Sequence, residues 1–484
     1  MNKNFLNYLK AEYNYDFTEN GAKTNKSTFS RLLDLFALIG SYRDKDITDL
    51  VKQAWLTNKE ITAKILIHTR NIVGGYGERD TFRRALVYLY KNFKDDIDLI
   101  RKIIDCSIVD KIGRWDDYLY IAYKTGDSYL LEKIKNQYNK DINSDVVSLL
   151  GKWLYSENAS SEKTIRKATY FRKLFGLKSK EYRQNLTKLR EKIKIIENNL
   201  RLKDYTFNYE NVPSKAFVKY RKAFIRNDEA RFQSFIDSVE KGEVKINTGA
   251  LTPFDVIHRV REGGEGLDAL WNNLPDMFEG EEPLHAIVAA DVSGSMDGEP
   301  VEVSVGLALY MAERNKGYFH NHFIDFCGDS QIHEINPDEP IVTKYTRVRA
   351  SSRDMNTNID SVFKCLLDSA VKNKVEQKDL PKYVIIISDM EFDCCRLRDD
   401  TNFSHWKNSF EFNGYKLPII VFWNVNAHSS RFPATKYDNV ILMSGRSQTA
   451  FKTLTLIEKL DLKDSESLPL VAMLETLKSY DKYL

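Results

Sequence analysis

The amino-acid sequence predicts an α + α/β protein in which an N-terminal all-α helical-repeat array is followed by a doubly wound domain built on a parallel sheet. Three observations carry that reading. Apolar residues recur at helical spacing through the first half of the chain. After Pro283 the texture changes to short apolar runs that alternate with helical segments. Between the two, residues 249–282 are rich in glycine, proline and acidic residues, as a connector would be. The 484 residues also exceed what one hydrophobic core commonly serves. The expected division is a helical domain over 1–248, a connector over 249–282 and an α/β domain over 283–484.

Within the first half, Leu32, Leu33, Leu35, Phe36, Leu38 and Ile39 open the helical pattern, and 61–68 and 82–90 continue it. Glycines at 74, 75 and 77, and again at 113, end one helix and turn the chain toward the next. Helices are expected again at 145–155 and 164–175, with an amphipathic stretch through Leu186, Leu189, Ile193, Ile195 and Ile196. In the second half the pattern predicts strands at 285–290, 319–326, 383–388, 419–423 and 440–443. Helices are expected at 301–314 and 359–371, and starting from Gln448 and Leu468. Strands alternating with helices bury both faces of a mostly parallel sheet.

Bulk composition narrows the function classes. A hydrophobic content of 42% with frequent Tyr and Phe fits a folded chain. A net charge of +3 gives no global argument for nucleic acid. Five cysteines, an odd number without CxxC spacing, point to a reduced, cytoplasmic protein. Residues 1–10 hold no apolar leader core and no run of eighteen apolar residues occurs, so neither secretion nor membrane spanning is expected.

The chemistry concentrates at predicted strand ends. In an open α/β sheet, ligands collect beyond the carboxyl ends of the strands, where neighbouring loops converge. Asp291 ends the first strand, and Asp291-Val292-Ser293-Gly294-Ser295 sets one carboxylate and two hydroxyls around a glycine turn. Asp389 ends the strand 383–388. Thr357 lies in the polar loop Asp354-Met355-Asn356-Thr357-Asn358 ahead of a helix. Hard oxygen donors without His or Cys suit Mg²⁺ first, with Mn²⁺ or Ca²⁺ as alternatives. A plainer reading is that the first turn only caps the next helix, which serines and aspartates favour.

Asp291-x-Ser293-x-Ser295 with Thr357 and Asp389 downstream resembles the metal-ion-dependent adhesion site of von Willebrand factor A domains, which have a Rossmann-like fold. The resemblance implies that the three hydroxyls bind the ion directly and the two aspartates mostly through water, leaving one place for a partner carboxylate. Met390 stands where that pattern usually has glycine, and Glu391 and Asp393 follow. Such extra acids would raise cation affinity or close the site from within.

The combination of helical array and A domain resembles the Ro autoantigen family, which implies a helical ring that binds misfolded and small noncoding RNA. Segments 72–80, 113–117 and 212–216 are similar to the domain of unknown function 2828 family. Between Ser161 and Arg226, nineteen Lys or Arg stand against six Asp or Glu. Lys215, Lys219, Arg221, Lys222 and Arg226 alternate there with Tyr220 and Phe224, placing phosphate-binding charge beside rings. The same spacing also describes a core-facing helix with a solvated basic face. Arg79, Asp80, Arg114, Asp116 and Asp117 read as ion pairs and helix starts, and His68 as a core residue.

The expected function is therefore a non-catalytic binding protein: a cation-dependent site for an acidic protein ligand, coupled to a helical scaffold that engages RNA. One alternative is a protein-binding adaptor without RNA. Another is a metal-dependent phosphoester hydrolase, for which Glu391, Asp393 and His405 are the nearest general-base candidates.

Overall fold

In a computed structural model of the protein, which describes residues 12–108, 112–351, 357–393, 402–460 and 467–484, contacts divide the chain into two compact units. One unit joins Met1–Ile65 to Thr248–Asp481; the other comprises Leu66–Asn247 with Lys482–Leu484. The first ten residues, Asp354, Met355 and Asn356, and the adjacent Cys394 and Cys395 lie outside the described residues.

The first unit is organised by a six-stranded sheet. Its strands are β3 (Ala286–Ala290), β4 (His322–Asp325), β5 (Ile332–Glu334), β6 (Tyr383–Ser388), β7 (Ile419–Asn424) and β8 (Val440–Ser444), in the order β5-β4-β3-β6-β7-β8. Four pairings are parallel, and the edge strand β5 runs antiparallel to β4. Only β5, three residues long with an exposed Ile332, has no counterpart in the sequence reading. The central strands read Ala-Ile-Val-Ala-Ala and Tyr-Val-Ile-Ile-Ile-Ser and are buried at every position, as a parallel sheet covered on both faces requires. The helix Glu299–Arg314 packs on β3, β4 and β6.

The N-terminal segment belongs to this unit because it is apolar on nearly every side. In the helix Arg31–Ile39, Leu33, Leu35, Phe36, Leu38 and Ile39 are all buried. Each such side chain removed from water contributes about 1.5–3 kcal/mol, which a solvent-facing repeat would forfeit. The helix packs on edge strand β8 together with the helix Leu468–Leu477. Ser444 Oγ donates to Phe36 O across 3.2 Å and accepts from Gly40 N at 3.2 Å. A Cβ at Gly40 would lie 2.7 Å from Ser444 Oγ and 3.0 Å from Gly445 N, so only glycine allows this approach. Ahead of the helix, β1 (Tyr15–Phe17) and β2 (Lys23–Asn25) form an antiparallel hairpin that sequence reasoning missed. The residues expected as a connector carry two short helices, Pro253–Ile257 and Leu267–Asn272; the first packs on the helix Glu299–Arg314.

The described residues of the second unit form helices and their connections. In the helix Ile97–Cys106, the buried residues Ile100, Ile103 and Ile104 fall at the spacing of one face. The expected breaks occur: a Cβ at Gly75 would meet His68 O at 2.0 Å, and one at Gly113 would meet Ser107 O at 2.7 Å. Asp117 is buried and holds Arg70 and Arg83 at 2.7 Å each, while Asp116 lies 2.8 Å from Arg83. Among the described residues, no helix is long and apolar enough to cross a membrane.

Candidate metal centre

The strand order reverses direction between β3 and β6, which makes the gap beyond their carboxyl ends the switch point where such sheets bind ligands. The register pairs Ala290 with Ile387, so Asp291 and Asp389 emerge from adjacent central strands onto one rim. Asp291 N still bonds to Ile387 O at 3.1 Å. The Asp291 side chain is fully buried: Oδ1 accepts from Ser293 N at 2.9 Å and Oδ2 from Ser388 Oγ at 2.6 Å. Burial first, and the neighbouring charge of Asp389 second, push its carboxyl up to about 6. Ser293 Oγ and Ser295 Oγ stand 3.3 Å apart, the first buried and the second exposed.

Asp389 is 1% exposed. Its Oδ1 accepts from Glu391 N at 3.1 Å, whereas Oδ2 is enclosed and accepts no hydrogen bond among the described residues. An unsatisfied buried carboxylate oxygen is costly unless positive charge reaches it. Thr357 is 3% exposed, and its carbonyl accepts from Asp393 N at 3.1 Å, so its loop is tied to the segment that follows Asp389. Among the described residues, no three His, Cys, Asp or Glu side chains gather as a metal cage; the side chains at this rim, two carboxylates with Ser293 and Ser295, offer oxygen donors. That hard oxygen set fits Mg²⁺, Mn²⁺ or Ca²⁺.

Two departures from the adhesion-site pattern have local explanations. Met390 adopts φ of +69°, the left-handed conformation for which glycine is the usual residue, and its N–H bonds to Ser388 Oγ at 3.0 Å. The Glu391 carboxylate is buried and turned to other partners: Oε2 accepts from Glu19 N at 2.7 Å and Oε1 from Ser429 Oγ at 3.2 Å. His405 packs edge-on against Trp406. Sequence reasoning missed His428, whose Nε2 lies 3.5 Å from Asp389 Oδ2. Its position in the loop after β7, at the same end of the sheet, was the available signal.

In the helical unit, Lys215, Lys219, Lys222 and Arg226 are exposed at the spacing of one face of the helix Ser214–Asn227. Arg221 is 1% exposed and lies on the core side. Phe217 and Phe224 pack with Tyr209 and Phe232, and the Tyr220 hydroxyl bonds to Glu197 at 3.2 Å, so these aromatic residues serve packing and side-chain bonding within the unit. A second basic cluster was not singled out from the sequence. Lys167 Nζ lies 4.9 Å from the ring centre of Tyr155, 5.5 Å from Tyr120 and 5.9 Å from Tyr123. Burial first, then Lys124, Arg83 and Lys163, lower its pKa.

The molecule is thus defined by a helical unit and a mostly parallel α/β domain with a carboxylate-and-hydroxyl rim at its switch point. Residues 18–97 and 133–291 match the Domain of unknown function (DUF2828), and residues 285–477 match the Domain of unknown function (DUF7788). The chain therefore joins a DUF2828 domain to a DUF7788 domain. It is 25% identical over 515 residues to Uncharacterized protein L728 of Acanthamoeba polyphaga mimivirus, covering 96% of this chain and 88% of that protein. Among solved structures it is similar to the Ro (RSR) protein of Deinococcus radiodurans, at 15% identity and a TM-score of 0.48, over 88% of this chain and 99% of that one.

Proposed function

We propose that this protein is a non-catalytic binding protein whose α/β domain takes a divalent cation at Asp291, Ser293, Ser295, Thr357 and Asp389. Mg²⁺ is the first expectation, with Mn²⁺ or Ca²⁺ as alternatives. The observation that carries the reading is the enclosed Asp389 Oδ2, which accepts no hydrogen bond among the described residues, beside a second buried carboxylate at the switch point. When bound, the ion supplies an electrophilic position for a carboxylate of an acidic protein partner. The residues of the chain hold that position: Ser388 orients Asp291, and the amide of Glu391 orients Asp389. Calorimetric titration of chelator-treated protein with Mg²⁺ and Mn²⁺ tests this; binding lost in Asp389→Ala supports it, and an unchanged variant refutes it.

Against hydrolysis, the carboxylate of Glu391, one of the expected bases, is bonded to Glu19 N and Ser429 Oγ. His428 beside Asp389 is the observation that favours hydrolysis. Metal-stimulated cleavage of bis(p-nitrophenyl) phosphate that disappears in His428→Ala would move the assignment to an enzyme.

A second activity, RNA binding by the helical unit, draws support from the Lys167 cluster, where the exposed Lys124 and Lys163 add positive charge among half-buried tyrosines. The exposed face of Lys215, Lys219, Lys222 and Arg226 is a further candidate. A basic surface that meets acidic protein instead gives the adaptor reading, and salt dependence with labelled RNA separates the two. A reducing cytoplasmic setting suits the thiols of Cys106, Cys327 and Cys365.

A further inference from the structure

The four residues after Asp389 are bonded on both sides. Toward the rim, Met390 N bonds to Ser388 Oγ, Glu391 N to Asp389 Oδ1, and Asp393 N to Thr357 O. Toward the N-terminal hairpin, Thr18 Oγ1 donates to Phe392 O at 2.8 Å and Asn20 Nδ2 donates to Glu391 O at 2.7 Å. Glu19 N donates to the Glu391 carboxylate at 2.7 Å, and Gly21 forms a β-bridge with Asp393. The turn between β1 and β2 is thereby fastened, residue by residue, to the segment that carries one cation ligand and abuts the loop of another.

We infer that Glu391 is a positioning residue for the cation site, and that docking of the hairpin turn 18–22 and cation binding strengthen each other. The inference rests on the cation reading above and extends it to regulation of the same site. Glu391 does not face the ion. It fixes the path of the backbone that delivers Asp389, by holding a buried carboxylate between Glu19 N and Ser429 Oγ. Without an ion, Asp291 and Asp389 are like charges on adjacent strand ends, and their repulsion bears on a segment held in place by the hairpin together with Ser429 and the ring contacts of Phe392. Binding energies linked in this way are reciprocal: what the ion adds to hairpin docking, the docked hairpin adds to ion affinity. The hairpin is then a latch whose release would accompany loss of the ion.

The test uses the full chain. Hydrogen exchange at the Glu19 amide and across residues 15–25 is followed with chelator and with Mg²⁺, beside calorimetric Mg²⁺ affinity, in wild type, Glu391→Ala and Glu391→Gln. The expected result is exchange slowed by about tenfold or more on adding Mg²⁺, and Mg²⁺ affinity about tenfold weaker in Glu391→Ala, within the lower part of the range for coupled sites. Glu391→Gln, which keeps an acceptor oxygen for Glu19 N, should return toward wild type; a charge or folding defect alone would not be rescued so. If Glu391→Ala does not fold, Thr18→Val with Asn20→Ala removes two of the same attachments and should weaken Mg²⁺ binding in the same direction. Wild type that binds Mg²⁺ while these variants bind it equally well overturns the inference and leaves the cation reading intact. Wild type that binds no Mg²⁺, Mn²⁺ or Ca²⁺ overturns both.

Discussion

Ser388 Oγ donates to Asp291 Oδ2 across 2.6 Å and at the same time accepts from Met390 N at 3.0 Å, so one hydroxyl joins the two strand ends at the switch point. It fixes the first carboxylate and the turn that follows the second. Ser388→Ala should leave Asp291 with one fewer donor and cost about 1–3 kcal/mol, the penalty for an unsatisfied buried polar group. Urea denaturation of the metal-free protein measures it.

Asp389 should behave in the opposite way. Among the described residues its enclosed Oδ2 accepts no hydrogen bond, so in Asp389→Ala the relief of a buried charge beside Asp291 offsets the lost Glu391 N bond and the nearby His428, and the metal-free protein is expected to stay within ~1 kcal/mol of wild type while any thermal shift on adding Mg²⁺ is abolished. A residue serving only to cap a turn would instead lose stability with and without Mg²⁺.

At Met390 the backbone conformation and the side chain make separate contributions. The side chain is buried, so both Met390→Ala and Met390→Gly lose packing. The backbone φ of +69° favours glycine, so Met390→Gly should be more stable than Met390→Ala by ~1 kcal/mol, against the usual order in regular structure. Thermal melts of the two variants side by side give the comparison.

The pH dependence of the helical unit should carry the signature of His68. Burial lowers its pKa from 6.5 to about 3, so the folded protein keeps it neutral while the unfolded chain takes up a proton. Its contribution is present in full above about 6.5 and is lost as pH falls toward 3, by up to ~1.4 kcal/mol per pH unit. Urea melts of the unit's transition at neutral pH and at about pH 5 should differ in wild type and differ less in His68→Phe.

RNA binding, if it uses the tyrosine-lined cluster, should weaken with Lys124→Glu plus Lys167→Glu, and the dependence of affinity on salt should become shallower by about one unit for each phosphate that the variant no longer neutralises. Fluorescence anisotropy with a labelled single-stranded RNA in chelator-containing buffer keeps this measurement apart from the cation site. Equal binding by the variant would move the RNA to the face of Lys215, Lys219, Lys222 and Arg226, and no binding by wild type would remove the activity.

Much of this architecture was legible in the sequence because it depends on local patterns. The strand Tyr383–Ser388 and the helix Ile359–Asn373 fall close to where β-branched runs and helical periodicity put them. The rim was legible because strand ends in such sheets are where ligands bind, and Asp291 and Asp389 each follow an unmistakable apolar run. The hairpin 15–25 was not legible, since three-residue strands carry little periodicity and its partners, Phe432 and Asp393, lie over 370 residues away. The grouping of the helix Arg31–Ile39 with the sheet was equally hidden, because periodicity reports that a helix is buried without naming what it is buried against. Arg221 shows the same limit: its charge suggested a surface, and only packing reveals that it is enclosed.

The measurement that bears most directly on the account is a Mn²⁺ titration of chelator-treated full-length protein, followed by the electron paramagnetic resonance signal of free Mn²⁺, with Ser293→Ala plus Ser295→Ala alongside. The account predicts saturable binding to a single class of site in wild type, displaced by Mg²⁺ and lost in the double variant. Absence of binding in wild type, or equal binding in the variant, would contradict it.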